Sequence, residues 1–306
     1  MMYRRFFIKL LGLTLLSLLQ FSLYFGVYVP YKLKNSGDAY IRRWQRFYEQ
    51  ETHADIILIG SSRTLRGINP EIIQRKMKQK VENIAYQGLS LRTFSHFIQD
   101  YFIKNKKVKT LILGIDANSL NFIGRISDPY ILLPSLPKHS ALWDIPQLQY
   151  GKLYKPFAFF QFKQSIYRTW YRPSSDEEFN GFFPVDENAY NEVFKDFKTL
   201  KTNINIENTT NDFEKISALV KSHKIQTVVV VILPYFEGFW KAIENRNQAV
   251  NLLKELSINH KFKYIDLLQC EVSEHQEYFY DPIHLNKNGA DRFSEILSDT
   301  LKNLIQ

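Results

Sequence analysis

Hydrophobic and polar positions fall into three regimes along the chain. The first is an unbroken apolar run, Leu10 to Val29, which carries no charged side chain and consists mostly of Leu, Phe, Val and Tyr. About 20 such residues span a bilayer core as a helix. The second regime alternates short β-branched runs with amphipathic stretches, over residues 55–117 and again over 210–304. Its apolar runs predict strands at Ile56–Ile59, Val81–Ala85, Val108–Ile115, Thr227–Leu233 and Lys263–Leu267. The third and fourth are apolar nearly throughout, as strands buried on both faces are. Helical spacing predicts helices from Asn69–Pro70 to about Lys78, over Leu91–Ile103, Thr210–His223 and Phe239–Leu256, and from about Asn288 to Leu304. Asn69 followed by Pro70 is a helix start, with Asn as cap and Pro at the first helical position. Strands alternating with helices imply an α/β fold with a doubly wound parallel sheet and right-handed crossovers.

The third regime, about 118–208, loses the alternation. Pro129, Pro134, Pro137, Pro146, Pro156, Pro173 and Pro184 punctuate it, with Trp143, Trp170 and many Phe and Tyr between them. Roughly 90 residues exceed any ordinary loop, so an aromatic-rich insertion with its own short helices is predicted, as a lid or wall beside a site. Its aromatics either line a carbohydrate or acyl groove or pack the insertion itself. Ahead of the first strand, Asp38 to Gln50 places Tyr40, Ile41, Trp44, Phe47 and Tyr48 on one broad helical face among charges. Packing on its own domain is the simpler use of that face, and contact with lipid the alternative.

Arg4, Arg5 and Lys9 precede the apolar run, and Pro30 and Lys32 follow it. The end of the run, Phe21 to Val29, has no small-x-small cleavage site, which favours an uncleaved signal anchor over a cleaved signal peptide. The organisation read from this is a cytoplasmic tail and transmembrane signal anchor over 1–35, then one domain over 36–306. Lys32, Lys34, Arg42, Arg43 and Arg46 on the second flank point the positive-inside rule the wrong way for an exported domain. Long domains translocate largely regardless of such charge.

Composition narrows the chemistry. The net charge is +9, from 40 Lys and Arg against 31 Asp and Glu, but the basic residues are spread along the chain and form no nucleic-acid motif. No nucleic-acid partner is expected. Cys270 is the only cysteine, so neither an intramolecular disulfide nor a multi-cysteine metal site can form. It lies among Leu267, Leu268, Glu271 and Val272 with no adjacent base, as a packing residue would. His53, His96, His139, His223, His260 and His275 show no ligand spacing, and the glycines form no phosphate loop. Neither a metal nor a cofactor is expected.

One stretch does carry chemistry. Asp55-Ile-Ile-Leu-Ile-Gly60-Ser61-Ser62-Arg63 runs from an apolar strand through a glycine into a helical turn. A serine there sits at the carboxyl edge of the sheet, where open α/β sheets hold ligands. It also sits near a helix N-terminus, where backbone N–H groups meet negative oxygens. A serine hydroxyl needs a base to become a nucleophile. His284, after the last strand and before the last helix, reaches the same edge, and Asp281, three residues earlier, can turn back to fix its tautomer.

Taken together, these residues resemble the SGNH, or GDSL-like, hydrolase superfamily over about 55–117 and 210–304. Gly60-Ser61-Ser62 stands where the family has Gly-Asp-Ser, Asn83 to Gly88 resembles its second block, and Asp281-x-x-His284 with Leu285-Asn286 and Gly289 matches its fifth. The resemblance implies a flavodoxin-like three-layer sandwich with a five-stranded parallel sheet. It also implies Ser62 as nucleophile, His284 as base, Asp281 as orienter, and the Gly88 N–H as oxyanion donor. In the third block, Gly114-Ile115-Asp116-Ala117 places Asp116 where the family has an oxyanion-donating Asn. A carboxylate donates nothing unless protonated. Either Asn118 substitutes as donor, or the N–H groups of Ser62 and Gly88 act alone, or Arg63 helps them. An anchored amino terminus is similar to the envelope branches of the superfamily. That implies an extracytoplasmic serine esterase or O-acyltransferase acting on acyl groups of a cell-envelope polysaccharide, often beside a membrane-bound acyltransferase. The alternative is an inactive member that serves polymer assembly or binding.

Overall fold

The computed structural model describes residues 2–49, 53–105, 107–121, 126–171, 181–185 and 203–305. The chain divides into two units, Met1–Gln50 with Asp128–Ser175, and Glu51–Ser127 with Asp176–Gln306.

The second unit holds the sheet. Strands β1 (Ile56–Gly60), β2 (Val81–Asn83), β3 (Thr110–Ile115), β4 (Thr227–Ile232) and β5 (Lys263–Asp266) lie in the order β2-β1-β3-β4-β5. Every pairing is parallel. This is the flavodoxin-like order, which reverses between β1 and β3 and opens a crevice at their carboxyl ends. Four strands match the sequence expectation apart from shorter ends, and β1 runs one residue further because Gly60 pairs with Gly114. β-branched and Leu residues bury both faces. Ile56, Leu58, Ile112, Val229 and Val231 share one core with Ile73, Met77, Phe293 and Leu297, from the helices Pro70–Met77 and Lys287–Ile305. On the opposite face the helices Leu91–Lys104 and Thr209–Ser222 pack together, the former also against β1, and bury Phe94, Phe97 and Phe213.

Local chemistry sets the helix ends. The Asn69 side chain accepts the Glu71 N–H at 3.0 Å, Pro70 opens the helix, and Lys78 closes it in the left-handed region at φ 57°. The helix expected over Phe239–Leu256 is two, Glu237–Lys241 and Arg246–Asn259. The break falls where Asn245 exchanges two hydrogen bonds with the Ile204 backbone, both 2.7 Å, which takes its side chain out of the helical path. Within the stretch predicted as an insertion, 181–185 belongs to the sheet unit. Phe182 lies in its core, Phe183 N–H donates to Leu65 O at 3.3 Å, and Lys287 N–H donates to Val185 O at 2.8 Å. Pro173, placed by sequence in the same insertion, lies outside the described residues.

The first unit is built on a long amino-terminal helix. Met2–Leu23 is α-helical, Tyr24–Tyr28 is π-helical and Val29–Lys34 is α-helical again. Pro30, which follows the apolar run, does not end the helix, and the reason is physical. Proline lacks an N–H and crowds the preceding turn, and the widened turn just before it, where Val29 N–H donates to Tyr24 O, takes up the strain. Tyr3–Lys34 is long and apolar enough to cross a membrane. The helix Ala39–Glu49 buries Ile41, Trp44, Phe47 and Tyr48, so its apolar face is spent on protein packing and not on lipid. Residues 128–171 add 3-10 turns at Pro129–Ile131 and Ala141–Asp144, then short helices at Gln149–Leu153, Lys155–Gln161 and Lys163–Tyr171.

Candidate active site

The site starts from a close approach at the end of β1. A Cβ on Gly60 would lie 1.9 Å from Thr64 Oγ1 and 2.7 Å from Gly114 O, so only glycine lets the next helix turn back over the strand ends. That helix is Ser62–Gly67. Ser61 caps it, its hydroxyl oxygen accepting the Arg63 N–H at 3.2 Å. Ser62 is the first helical residue, so its N–H has no acceptor within the helix. The buried amide of Asn83 braces the same turn, donating to Thr64 O at 3.0 Å and Ile68 O at 3.3 Å while accepting the Ala85 N–H at 3.0 Å.

His284 comes from the far end of the unit. After β5 the chain forms an antiparallel hairpin, β6 (Phe279–Asp281) and β7 (His284–Leu285), in which Asp281 pairs with His284 across Pro282 and Ile283. Asn286 holds the hairpin to the final helix. Its side chain donates to Glu277 O at 2.7 Å and accepts the Gly289 N–H at 2.9 Å, and its own N–H donates to Tyr278 O at 3.0 Å. Gly289 is needed because a Cβ there would stand 2.1 Å from Tyr278 O.

Three side chains then form one hydrogen-bonded line. Ser62 Oγ lies 2.9 Å from His284 Nε2, across 222 sequence positions, and His284 Nδ1 lies 2.8 Å from Asp281 Oδ2. Asp281 Oδ1 accepts the N–H groups of Ile283 and His284, each at 2.8 Å. Burial pushes the Asp281 carboxyl upward, but the hydrogen bond and charge of His284 and the two backbone N–H groups outweigh it and hold the group below its ordinary value. An ionised carboxylate only accepts, so Nδ1 carries the proton in neutral His284 and Nε2 is left to accept from the Ser62 hydroxyl.

The support residues divide. Gly88 sits in the left-handed region at φ +64° in the turn Tyr86–Leu89, and Tyr86 N–H donates to Gly60 O at 3.0 Å, which fixes that turn to the end of β1. Among the described residues the Gly88 N–H has no acceptor. Asp116 is not directed to an oxyanion. Its carboxylate accepts the Ser61 hydroxyl at 2.5 Å and the Ser119 N–H at 2.9 Å, capping the short helix Ala117–Asn121. Arg63, expected beside the oxyanion, turns instead to the loops behind His284. Nε donates to Ile283 O at 2.5 Å, Nη2 donates to Pro234 O, and the guanidinium lies 3.6 Å from the Tyr235 ring centroid. Its Nη1 is buried with no hydrogen-bond partner among the described residues. The side chain of Asn118 lies outside the described residues.

Tyr235 escapes a reading of the sequence, since no motif marks it. Its only signal is position, directly after β4 and Pro234 at the carboxyl edge. Its hydroxyl accepts the Ala117 N–H at 2.8 Å, and burial raises its phenol. Cys270 is partly buried, and burial raises its thiol away from the reactive thiolate. Among the described residues no group of three or more His, Cys, Asp or Glu side chains is gathered as metal ligands would be.

No family model matches the chain, and no curated protein matches it. Among solved structures, a provisionally assigned platelet activating factor from Streptococcus pneumonia aligns over 96% of this chain and 99% of its own, with 13% identity and a TM-score of 0.46. A lipase/acylhydrolase from Enterococcus faecalis aligns over 82% of this chain and 96% of its own, with 12% identity and a TM-score of 0.43. At these identities and TM-scores neither likeness bears on what the chain does.

Proposed function

We propose that the chain is a serine-dependent esterase or O-acyltransferase of the SGNH type, anchored by its amino-terminal helix, with its second unit outside the cytoplasm. The reading rests on one observation, the continuous line from Ser62 Oγ through His284 to the Asp281 carboxylate. The substrate class, an acyl ester on an envelope glycan, and a membrane-bound acyltransferase as partner come from the sequence resemblance.

In this reading Ser62 Oγ bonds to the ester carbonyl carbon while His284 Nε2 takes the hydroxyl proton. Asp281 stabilises the imidazolium so formed. The N–H groups of Ser62 and Gly88 hold the oxyanion. The tetrahedral centre collapses, the carbon–alkoxy bond breaks, and the leaving alcohol takes the proton from His284. Water or a sugar hydroxyl then gives its proton to His284 and attacks the acyl carbon, and Ser62 leaves and regains its proton. Water as acceptor gives an esterase and a sugar hydroxyl gives a transferase.

A fluorophosphonate probe tests the reading. Full-length protein is expected to be labelled, and Ser62→Ala and His284→Ala to abolish the label. A second reading, a binding protein on a fold that performs no turnover, is favoured by the Asp116 carboxylate, buried where an amide donor is expected. Folded wild-type protein that takes no label, together with an unchanged phenotype in His284→Ala, sinks the enzyme and leaves the binding protein.

A further inference from the structure

The amino-terminal helix changes character along its length. Residues 3–20 are exposed on every side, whereas Phe25, Val29 and Leu33 further along are buried. Arg4, Arg5 and Lys9 mark the amino-terminal end of the bare part, so the charge-free run of about 20 residues that suits a bilayer core starts at Leu10 and ends at Val29, inside the covered part. Protein cover begins at Phe21, whose ring lies 5.5 Å from that of Phe160. Phe25 meets Phe160 edge to face at 5.4 Å, and Tyr24 and Tyr167 share a hydrogen bond of 3.1 Å. Gly26 permits this approach, since a Cβ there would stand 3.1 Å from Pro156 Cγ.

The short helices that supply this cover leave apolar side chains bare on their outer side. Leu153 is 91% exposed, Phe157 52% and Phe160 37%. Tyr154 and Tyr167 are exposed as well, as are Tyr28 and Tyr31 on the long helix. The segment 149–171 contains Lys152, Lys155, Lys163 and Arg168 and no acidic residue. Lys163 Nζ lies 4.1 Å from the Phe160 ring centroid, while Lys152 is paired with Asp144 and the half-buried Lys155 donates to Leu136 O at 3.0 Å. Bare leucine and phenylalanine rimmed by tyrosine and lysine is the composition of a membrane interface. There, rings sit at headgroup level and basic side chains reach back to phosphates.

We propose that residues 149–167 form an interfacial collar, seated in the headgroup layer of the bilayer that the bare helix crosses. The occupant is a lipid surface with anionic headgroups. The patch continues from the exposed part of the helix, lies beside the carboxyl-terminal half of its charge-free run, and presents Lys163, the charge sign that such a surface attracts. The proposal rests on the anchor reading of the amino-terminal helix.

The test uses the full-length chain with Cys270→Ser, in nanodiscs of phosphatidylcholine and phosphatidylglycerol holding one copy each. An environment-sensitive fluorophore is placed through Leu153→Cys, Phe157→Cys, Leu15→Cys or Lys221→Cys. Nitroxide-bearing lipids are expected to quench the probes at 15, 153 and 157 several-fold more than the probe at 221, and aqueous iodide to do the reverse. If the probe at 15 is quenched by lipid while those at 153 and 157 behave like the probe at 221, the collar is overturned and the anchor stands. If the probe at 15 escapes lipid quenching, the anchor fails and the collar with it. Probes at 153 and 157 shielded from both quenchers would assign the patch to a protein partner or a second copy, and would also overturn the proposal.

Discussion

Ser61 Oγ donates a hydrogen bond of 2.5 Å to Asp116 Oδ2, joining the carboxyl ends of β1 and β3 where the strand order reverses. The bond ties the residue before Ser62 to a neighbouring strand and leaves the carboxylate no free role at an oxyanion. Asp116→Ala strands the buried Ser61 hydroxyl and the Ser119 N–H and is expected to cost about 1–3 kcal/mol. Asp116→Asn keeps an acceptor for Ser119 and supplies a donor to Ser61, and is expected to cost less. Urea unfolding of the full-length chain in detergent measures both. An Asp116→Ala variant as stable as wild type would remove Asp116 from the framework of the site.

The hydrogen bonds around Asp281 give the protein a defined response to acid. Its carboxyl is held below the ordinary value despite the upward push of burial. A carboxyl depressed in the folded state contributes stability above its unfolded pKa of about 4, and that contribution is lost as pH falls through the folded value. Wild type is therefore expected to exceed Asp281→Asn in stability at neutral pH, by a margin that shrinks steadily in acid. Thermal unfolding of both proteins across that range measures the margin, and a difference independent of pH would contradict the ionised assignment. Asp281→Asn also presents the wrong tautomer partner to His284, so turnover is expected to fall roughly 10⁴-fold.

Two glycines face one threonine at the strand ends. A Cβ on Gly114 would stand 2.1 Å from Thr64 Oγ1, with its next contact, Thr64 Cβ, at 3.2 Å. A Cβ on Gly60 meets both Thr64 Oγ1 and the Gly114 carbonyl oxygen. Gly114→Ala is expected to destabilise by about 1–3 kcal/mol, as overpacking does. Most of that loss should be recovered when Thr64→Ala removes the hydroxyl. Gly60→Ala should not be recovered in the same background, because Thr64 Cβ at 2.6 Å and the Gly114 carbonyl oxygen at 2.7 Å both remain. Melting temperatures of the four variants decide the matter, and equal rescue at both positions would refute the assignment of the clashes.

The sheet was legible in the sequence because its strands are short β-branched runs whose burial on both faces shows as unbroken hydrophobicity. That Ser62, His284 and Asp281 meet at one sheet edge was legible from their places after the first strand and between the last expected strand and the last helix, together with the family resemblance, whereas the hairpin that carries Asp281 and His284 was not. What sequence did not carry was direction. Asp116 and Arg63 stand close to Ser62 along the chain or across the sheet, but which atoms their polar groups meet depends on Ser61, Ser119, Ile283 and Tyr235, and no periodicity encodes those pairs. The π-helical turn before Pro30 was illegible for a similar reason. A proline ends most helices, and only the neighbouring hydrogen-bond pattern shows that this helix continues to Lys34.

Arg63 is the residue whose observed contacts depart from the oxyanion role that its place beside Ser62 in the sequence suggests. Its guanidinium lies on the Tyr235 ring and donates to the carbonyl oxygens of Ile283 and Pro234, so it holds the residue next to His284. A positioning residue of this kind affects turnover through the placement of the base, and a misplacement of about 1 Å costs roughly 10²-fold. Arg63→Lys keeps a charge but loses the planar fork, and is expected to lower kcat by about that factor with KM little changed. Tyr235→Ala removes the surface on which the guanidinium rests and should produce a loss of similar size. Because both variants loosen the same support, the double variant is expected to lose little more than either alone. Tyr235→Phe keeps the ring and should retain most of the activity. If the losses of Arg63→Lys and Tyr235→Ala instead multiply, Arg63 acts independently of its stacking partner, as a group touching the reacting carbonyl would.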